Sequence, residues 1–360
     1  MYLDANATEP LRPDARAAML EAADLGGNPA SVHAAGRAAR RVLEDAREAL
    51  GRRFGARPSD IVFTSGATEA ACHAIATLGR NRRIIVGATE HDAVRAAAPG
   101  AAILPVDRAG RADLDALARL LVGPPALVCL MAANNETGVL HDIAAASLLC
   151  HENGALLFVD AAQAAGRIAI DFAESGAHAM ALSSHKLGGP PGAGALLLAS
   201  QCATVAPLIA GGGQERGRRG GTPALPAIAG FAAAAERPSP AARLAGWRDR
   251  AERQAVAAGA VVIGAEATRL PNTTCIALLG IPAEIQVIAL DLAGIAVSAG
   301  AACSSGKVAR SHVLDAMGLG PAADAAIRVS LPWNAQESDI AAFADAYGAM
   351  ASRLRARRAA

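Results

Sequence analysis

From about residue 60 onward the chain repeats one pattern: a short apolar run, a few small or polar residues, then a stretch of helical period. The runs at 61–63, 83–86, 101–106, 127–131, 156–159, 179–182 and 194–198 are nearly continuous in apolar character. Strands buried on both faces read this way, whereas half-exposed strands alternate. Ala/Leu-rich segments such as 114–121 and 143–151 separate most of them. Strands alternating with helices predict an α/β fold with a mainly parallel sheet covered on both faces. Before the sheet, 34–54 reads as one long, arginine-rich helix. The composition shifts at ERPSP, 236–240, which marks a boundary. Past it, a helix over 241–258, strands over 261–263, 274–279 and 326–331, and a last helix from about Glu337 predict a smaller α+β unit. The expected division is 13–238 for the large domain, and 239–360 together with 1–12 for the small one.

Several classes of function are disfavoured at once. The formal net charge is +1, so there is no general attraction to nucleic acid or to an acidic surface. The opening MYLDANATEP lacks the charged and apolar regions of a signal peptide. No apolar stretch reaches the roughly 18–20 residues of a membrane span. The six cysteines form no CxxC and no regular framework, and there is no HExxH. A cytoplasmic protein that is metal-free in isolation is expected.

The polar residues gather where the apolar runs end. Thr64–Glu69 follows the first run, Glu90-His91 the second, Asn134-Asn135-Glu136 the fourth, Asp160 and Gln163 the fifth, and His185-Lys186 the sixth. Each alone reads as a turn residue or a helix cap. Together they fall on one edge of the sheet, where open parallel sheets bind ligands. TSGATEA is a glycine turn feeding a helix, so its first N–H groups and Thr68 can meet a phosphate. It is neither a Walker loop nor a dinucleotide fingerprint. GGGQERGRRGGT, 211–222, reads equally as a second phosphate loop, a flexible surface loop or a subunit contact.

Lysine and arginine total 34, and only Lys186 and Lys307 are lysines. A primary amine condenses with an aldehyde and a guanidinium does not. A carboxylate on a neighbouring strand end suits a pyridinium nitrogen, so Lys186 with Asp160 points to pyridoxal 5'-phosphate. Five cysteines sit in or beside apolar segments and read as small hydrophobes. Cys303 differs, with Gly300, Ser304, Ser305 and Gly306 around it and Lys307 and Arg310 close behind. Small neighbours and cations are the setting of a usable thiol. In AIRVSL, Arg328 lies opposite Ile327, Val329 and Leu331, and on pattern alone reads as an exposed arginine.

The runs TSGATEA, EHDAV, NNETG, DAAQAAGRI, SSHKLGGPPGAGAL, GGGQERGRRGGT and SAGAACSSGKVARSHVL resemble the cysteine desulfurases. These are fold-type-I pyridoxal-phosphate enzymes of the class V aminotransferase superfamily. The likeness runs from YLDANAT to IRVSLPWN, and the eight positions from Cys303 to Ser311 resemble the group I, nitrogen-fixation and iron–sulfur type. The resemblance implies that Lys186 holds the cofactor covalently, Asp160 keeps its ring nitrogen protonated and Gln163 bonds its phenolic oxygen. His91 would stack on the ring and assist proton transfers. Ala67, Thr68, Ser183 and His185 would hold the phosphate, with Thr222 of a partner subunit. Asn135 would contact cofactor and substrate, and Arg328 would clamp the substrate carboxylate. Cys303 would take the sulfur of L-cysteine as a persulfide, and can be a transient iron–sulfur ligand. A homodimer that serves a sulfur-acceptor protein, such as an iron–sulfur scaffold, is implied. Departures from the pattern are Cys72-His73 for two asparagines, Glu9 for a threonine, and Pro223-Ala224 for Glu-Asn. A selenocysteine lyase or aminotransferase on the same fold, or a non-catalytic sulfur carrier, are the alternatives.

Overall fold

The computed structural model describes residues 1–237, 239–300 and 310–359, so Cys303 and Lys307 lie outside the described residues. Seven strands form the larger sheet: β1 (Ile61–Thr64), β2 (Arg83–Gly87), β3 (Ala102–Leu104), β4 (Ala126–Met131), β5 (Leu156–Asp160), β6 (Ala179–Ser183) and β7 (Gly194–Leu198). Their order is β1-β7-β6-β5-β4-β2-β3. Pairing is parallel from β6 through β5, β4 and β2 to β3, and β7 alone runs against its neighbours. Four further strands, β8 (Val261–Ile263), β9 (Thr273–Ala277), β10 (Ser298–Ala299) and β11 (Ala326–Ser330), make an antiparallel sheet ordered β10-β11-β9-β8.

The apolar runs are continuous because both faces of the large sheet are covered. Ile61, Phe63, Val128, Leu130, Leu157, Val159, Met180 and Leu182 face one core, beneath the helices Ala34–Phe54 and Leu225–Ala235. Val62, Leu127, Cys129, Phe158, Ala179 and Ala181 face the other, against the helix Ala67–Leu78. Successive residues thus alternate between two dry faces, the period expected of a pleated strand. The small sheet packs against the helices Ala241–Ala257 and Glu337–Ala359, and Leu3 from the chain's start completes that core. The start is held there by bridges from Tyr2 to Ala296 and from Asp4 to Ser330. Among the described residues no helix is long and apolar enough to cross a membrane.

The segment 211–222 is no free surface loop. Glu215 is buried, and its two oxygens accept Arg47 Nη1 and Nη2 at 2.8 Å each. The same carboxylate accepts the backbone N–H of Phe63 at 2.9 Å. Arg47 also donates to the Ile61 carbonyl at 2.9 Å and lies over the Phe63 ring. The segment is therefore clamped to β1, whose end opens the site. Glu215 and Arg216 carry positive φ, 48° and 60°, so this clamp is strong enough to hold two strained residues. Truncating one partner of a dry ion pair strands the other charge. Glu215→Ala is expected to lower the unfolding free energy by about 3–5 kcal/mol in urea titrations; a loss below about 1 kcal/mol would rank the pair with surface ion pairs.

Candidate active site

A cavity of about 410 Å³ opens at the carboxyl edge of the large sheet. β1 turns through Ser65 and Gly66 into the helix Ala67–Leu78, so Ala67 and Thr68 present the first turn of that helix to the cavity. The turn can sit this close to the sheet because β7 begins with glycine: a Cβ on Gly194 would lie 2.5 Å from the Gly66 Cα. His91 follows β2 and caps the short helix Asp92–Ala97, its Nδ1 accepting the Ala93 N–H at 3.1 Å. Asn135 follows β4, Asp160 ends β5, and Ser183 ends β6 ahead of the one-turn helix that carries His185 and Lys186.

Lys186 reaches across the cavity to the chain's N-terminal segment. Its Nζ donates to the carbonyls of Asn6 at 2.6 Å and Ala7 at 2.9 Å. The Asn6 carbonyl also accepts Gln163 Nε2 at 3.0 Å. Arg167 donates to the Gln163 side chain and carbonyl and, at 3.0 Å, to the Ala5 carbonyl. His185 Nδ1 meets the Thr8 hydroxyl at 3.1 Å. Residues 5–8 are therefore a strap over the site.

The charges are arranged in a dry setting. Burial pushes the Asp160 carboxyl up, offset in part by the Ala162 N–H at 2.9 Å and by the positive charge of His91 and Lys186. Glu90, fully buried behind it, is pushed up further by burial and by Asp160. One Glu90 oxygen accepts the Met131 N–H and the other has no partner. Burial, with Lys186 and Arg167 nearby, lowers His185 to about 4, so its ring is neutral at pH 7.

The cavity brings together Ala67, Thr68, His91, Asn135, Asp160, Gln163, Ser183, His185 and Lys186. Thr222 lines an adjoining hollow, which shares Ser65 and Gly192 with the cavity. Arg328 is not the exposed arginine that its strand pattern suggests. It is 1% exposed, donating to Asp4 at 2.7 Å and to the Asn135 carbonyl at 3.0 Å. It stands one residue behind the cavity wall, because the small sheet packs that face of β11 against the strap. Sequence reasoning missed Asp4, Asn6, Ala7 and Arg167. Asp4 and Arg167 pair with groups distant in sequence, and Asn6 and Ala7 act through backbone carbonyls, so the runs YLDANAT and DAAQAAGRI were the available signal. Arg310, counted among the cations near Cys303, is shared between Asp315 and Asp324. Of the other cysteines, Cys129, Cys150, Cys202 and Cys275 are buried and Cys72 is half-buried.

Residues 1–343 match the aminotransferase class-V family. The chain belongs to that family. It is 43% identical to a cysteine desulfurase of Cereibacter sphaeroides, across 92% of this chain and 90% of that protein. It is 38% identical to an IscS-like cysteine desulfurase of Mycobacterium tuberculosis, across 100% and 98%. The X-ray structure of a NifS-like protein from Rickettsia africae superposes with a TM-score of 0.91 at 32% identity, covering 97% of this chain and 99% of that one. The family's cofactor is pyridoxal 5'-phosphate, and the residues here fit it. One cavity offers a lysine amine, a buried carboxyl held by a single backbone N–H, and the N-terminus of a 12-residue helix.

The neutral His185 has a consequence in acid. Its folded value lies below the ordinary one, so between pH 6.5 and about 4 the unfolded chain binds the extra proton. Stability contributed by the neutral ring is present above that window and lost as pH falls through it. Denaturant unfolding at pH 7 and pH 4.5 is expected to show the wild type losing about 1–2 kcal/mol more than His185→Gln, a figure reduced for partial solvent screening.

Proposed function

We propose that this chain removes sulfur from L-cysteine, giving L-alanine and a persulfide on Cys303. The observation that carries the reading is the cavity itself, which pairs the Lys186 amine with the Asp160 carboxyl at the ends of adjacent strands. The similarity to cysteine desulfurases along nearly the whole chain supports it. When bound, pyridoxal 5'-phosphate supplies an electron sink conjugated to the substrate Cα. Lys186 would hold it covalently, and Asp160 would hold a proton at its ring nitrogen. Ala67, Thr68, Ser183 and His185 would hold its phosphate, joined by Thr222 of a partner subunit, while Gln163 would bond its phenolic oxygen and His91 would stack on its ring.

The Lys186 amine would take the α-proton of L-cysteine. Its place beside the Asn6 and Ala7 carbonyls keeps it inside the cavity, with hydrogen-bond acceptors for the proton it gains. Asn135 lines the cavity while its carbonyl fixes Arg328, so that the two orient the substrate carboxylate together. Overall, the C–S bond of L-cysteine breaks, an S–S bond forms at Cys303, and the carbon skeleton leaves as L-alanine with the hydrogen count unchanged. The persulfide sulfur then passes to an acceptor protein, such as an iron–sulfur scaffold, with Cys303 a transient cluster ligand on the way. Residues 13–238 form the cofactor-binding domain, and 239–360 with 1–12 the smaller one, in a cytoplasmic homodimer.

Purified protein incubated with L-cysteine should yield alanine and, with a reductant, equimolar sulfide. Cys303→Ser should retain the bound cofactor, with a borohydride-fixed adduct on the Lys186 peptide, yet release no sulfide and carry no persulfide. Alanine formation by Cys303→Ser near the wild-type rate would instead mark a lyase that needs no enzyme thiol; a keto acid product would mark an aminotransferase.

Arg328→Lys keeps the charge and loses the planar fork. A charge-assisted hydrogen bond contributes about 1.5–3 kcal/mol, so the KM for cysteine should rise roughly ten- to hundredfold with the cofactor's absorbance unchanged. An unaltered KM would remove Arg328 from substrate binding.

A further inference from the structure

The strap over Lys186 carries a carboxyl that no step above uses. Glu9 is 4% exposed, and its Oε2 has no hydrogen-bond partner among the described residues. Its backbone N–H donates to the His185 carbonyl at 2.8 Å, which ties the end of the strap to the residue before Lys186. A buried carboxyl in this place needs a cation or a proton. Arg167 is buried within its electrostatic reach, and the Arg167 Nε likewise has no partner. The other end of Arg167 is fully used, by the Gln163 side chain and carbonyl and by the Ala5 carbonyl. Charge attraction thus links Glu9 to Arg167, and hydrogen bonds run from Arg167 to Ala5 and Gln163, and on to the Asn6 and Ala7 carbonyls that receive the amine.

We propose that Glu9 is a positioning residue for Lys186: the charge on its carboxylate fixes Arg167, and through Arg167 the backbone that receives the Lys186 amine. The consequence for turnover rests on the reading of Lys186 given above; the positioning itself does not.

The groups that act on this carboxyl are Arg12 and Tyr2 from its own segment, Arg167 from the turn after β5, and the backbone of Trp333 after β11, while His185 after β6 is tied to the Glu9 backbone. Burial raises Glu9 to about 7 against the pull of Arg167 and Arg12. Arg167 is lowered to about 10 by burial, with Arg328 adding to it, so it keeps its charge throughout the neutral range. His185, at about 4, stays neutral there. Of Glu9, Arg167 and His185, Glu9 is then the one that changes charge near neutrality. Above pH 7 its carboxylate balances Arg167 and the strap is held. Below pH 7 Arg167 has only carbonyl dipoles and the repulsion of Arg328.

The scarcity of lysine makes this measurable. Full-length protein stripped of cofactor would be treated briefly with acetic anhydride from pH 6 to 8, and acetylation of Lys186 read by mass spectrometry relative to Lys307, the chain's other lysine. In the wild type the Lys186 to Lys307 ratio should be about fivefold higher at pH 6 than at pH 8, the weak end of usual site-to-site coupling, with its midpoint near 7. Glu9→Gln preserves shape without charge, so its ratio should stay at the high value throughout. Arg167→Lys keeps the cation but loses the fork, and should flatten the step while circular dichroism confirms the fold. A wild-type ratio without a step, or a step of unchanged size in either variant, would overturn the proposal. Failure of the unstripped protein to carry pyridoxal phosphate would overturn the functional reading instead, since the acetylation ratio does not require the cofactor.

Discussion

Asn6 is almost fully buried, and each of its polar groups is engaged by a different part of the fold. Its N–H goes to the Ser330 hydroxyl at the end of β11, and its Nδ2 goes to Thr273 on β9 and to the Asn135 carbonyl after β4. Its own carbonyl accepts Gln163 from beyond β5 and Lys186 from beyond β6. A residue at the sixth position thereby joins the small sheet to three strand ends of the large one. An unmet buried polar group costs on the order of 1–3 kcal/mol, so this crossing is either complete or expensive. The site's geometry follows from it. With Asn6 in place, the strap has one path across the cavity, and Lys186 has fixed acceptors.

The same crossing explains why the cavity can hold so much buried charge. Asp160 and Glu90 are neighbouring carboxyls in a dry place, and two negative charges there would repel strongly. Burial pushes both up, and Glu90 further, because among the described residues its carboxyl accepts the Met131 N–H alone while Asp160 has His91 and Lys186 nearby. Met131 pairs in register with Asp160, so the strand that seats Glu90 also sets its spacing from Asp160. Of the two, Asp160 lines the cavity, where His91 and Lys186 offset part of its burial. A cation bound there would offset that burial further and favour the charged form, and the sheet fixes where it would sit.

Much of the fold was legible because dry strands leave a strong signal. The apolar runs gave all seven strands of the large sheet within a few residues, since each had to satisfy two cores at once. The reversed direction of β7 was not legible: GALLL is equally apolar whichever way it runs. β10 was missed because two residues carry no period, and the helix Pro13–Ala23 because its alanine-rich turns bury only Ala15 and Ala22. At the site, side chains at strand ends could be read as a group, whereas the strap could not. Asn6 and Ala7 act largely through backbone carbonyls, which every residue possesses. Arg328 misled for the opposite reason. Its strand alternation was right, but the face opposite the core is covered by the chain's own first residues, and no local pattern announces a contact 324 residues away.

The arginine bias separates two kinds of cation that are usually mixed. Arg47 forks onto Glu215, Arg167 spans Gln163 and Ala5, and Arg328 spans Asp4 and Asn135, all of them buried. Each of these tasks needs a permanent charge with several donors in a plane, which a guanidinium provides and an ammonium does not. At Lys186 the requirement is reversed. In the function proposed for it, that group must lose its proton to form a covalent bond, and later take one up, so a permanent charge would disable it. A guanidinium, with a pKa above about 12, could occupy the same place and donate to the same two carbonyls without ever becoming a nucleophile. Where composition drifts towards arginine, the lysine retained at a buried strand end marks a position where proton loss, rather than charge, is what the site requires.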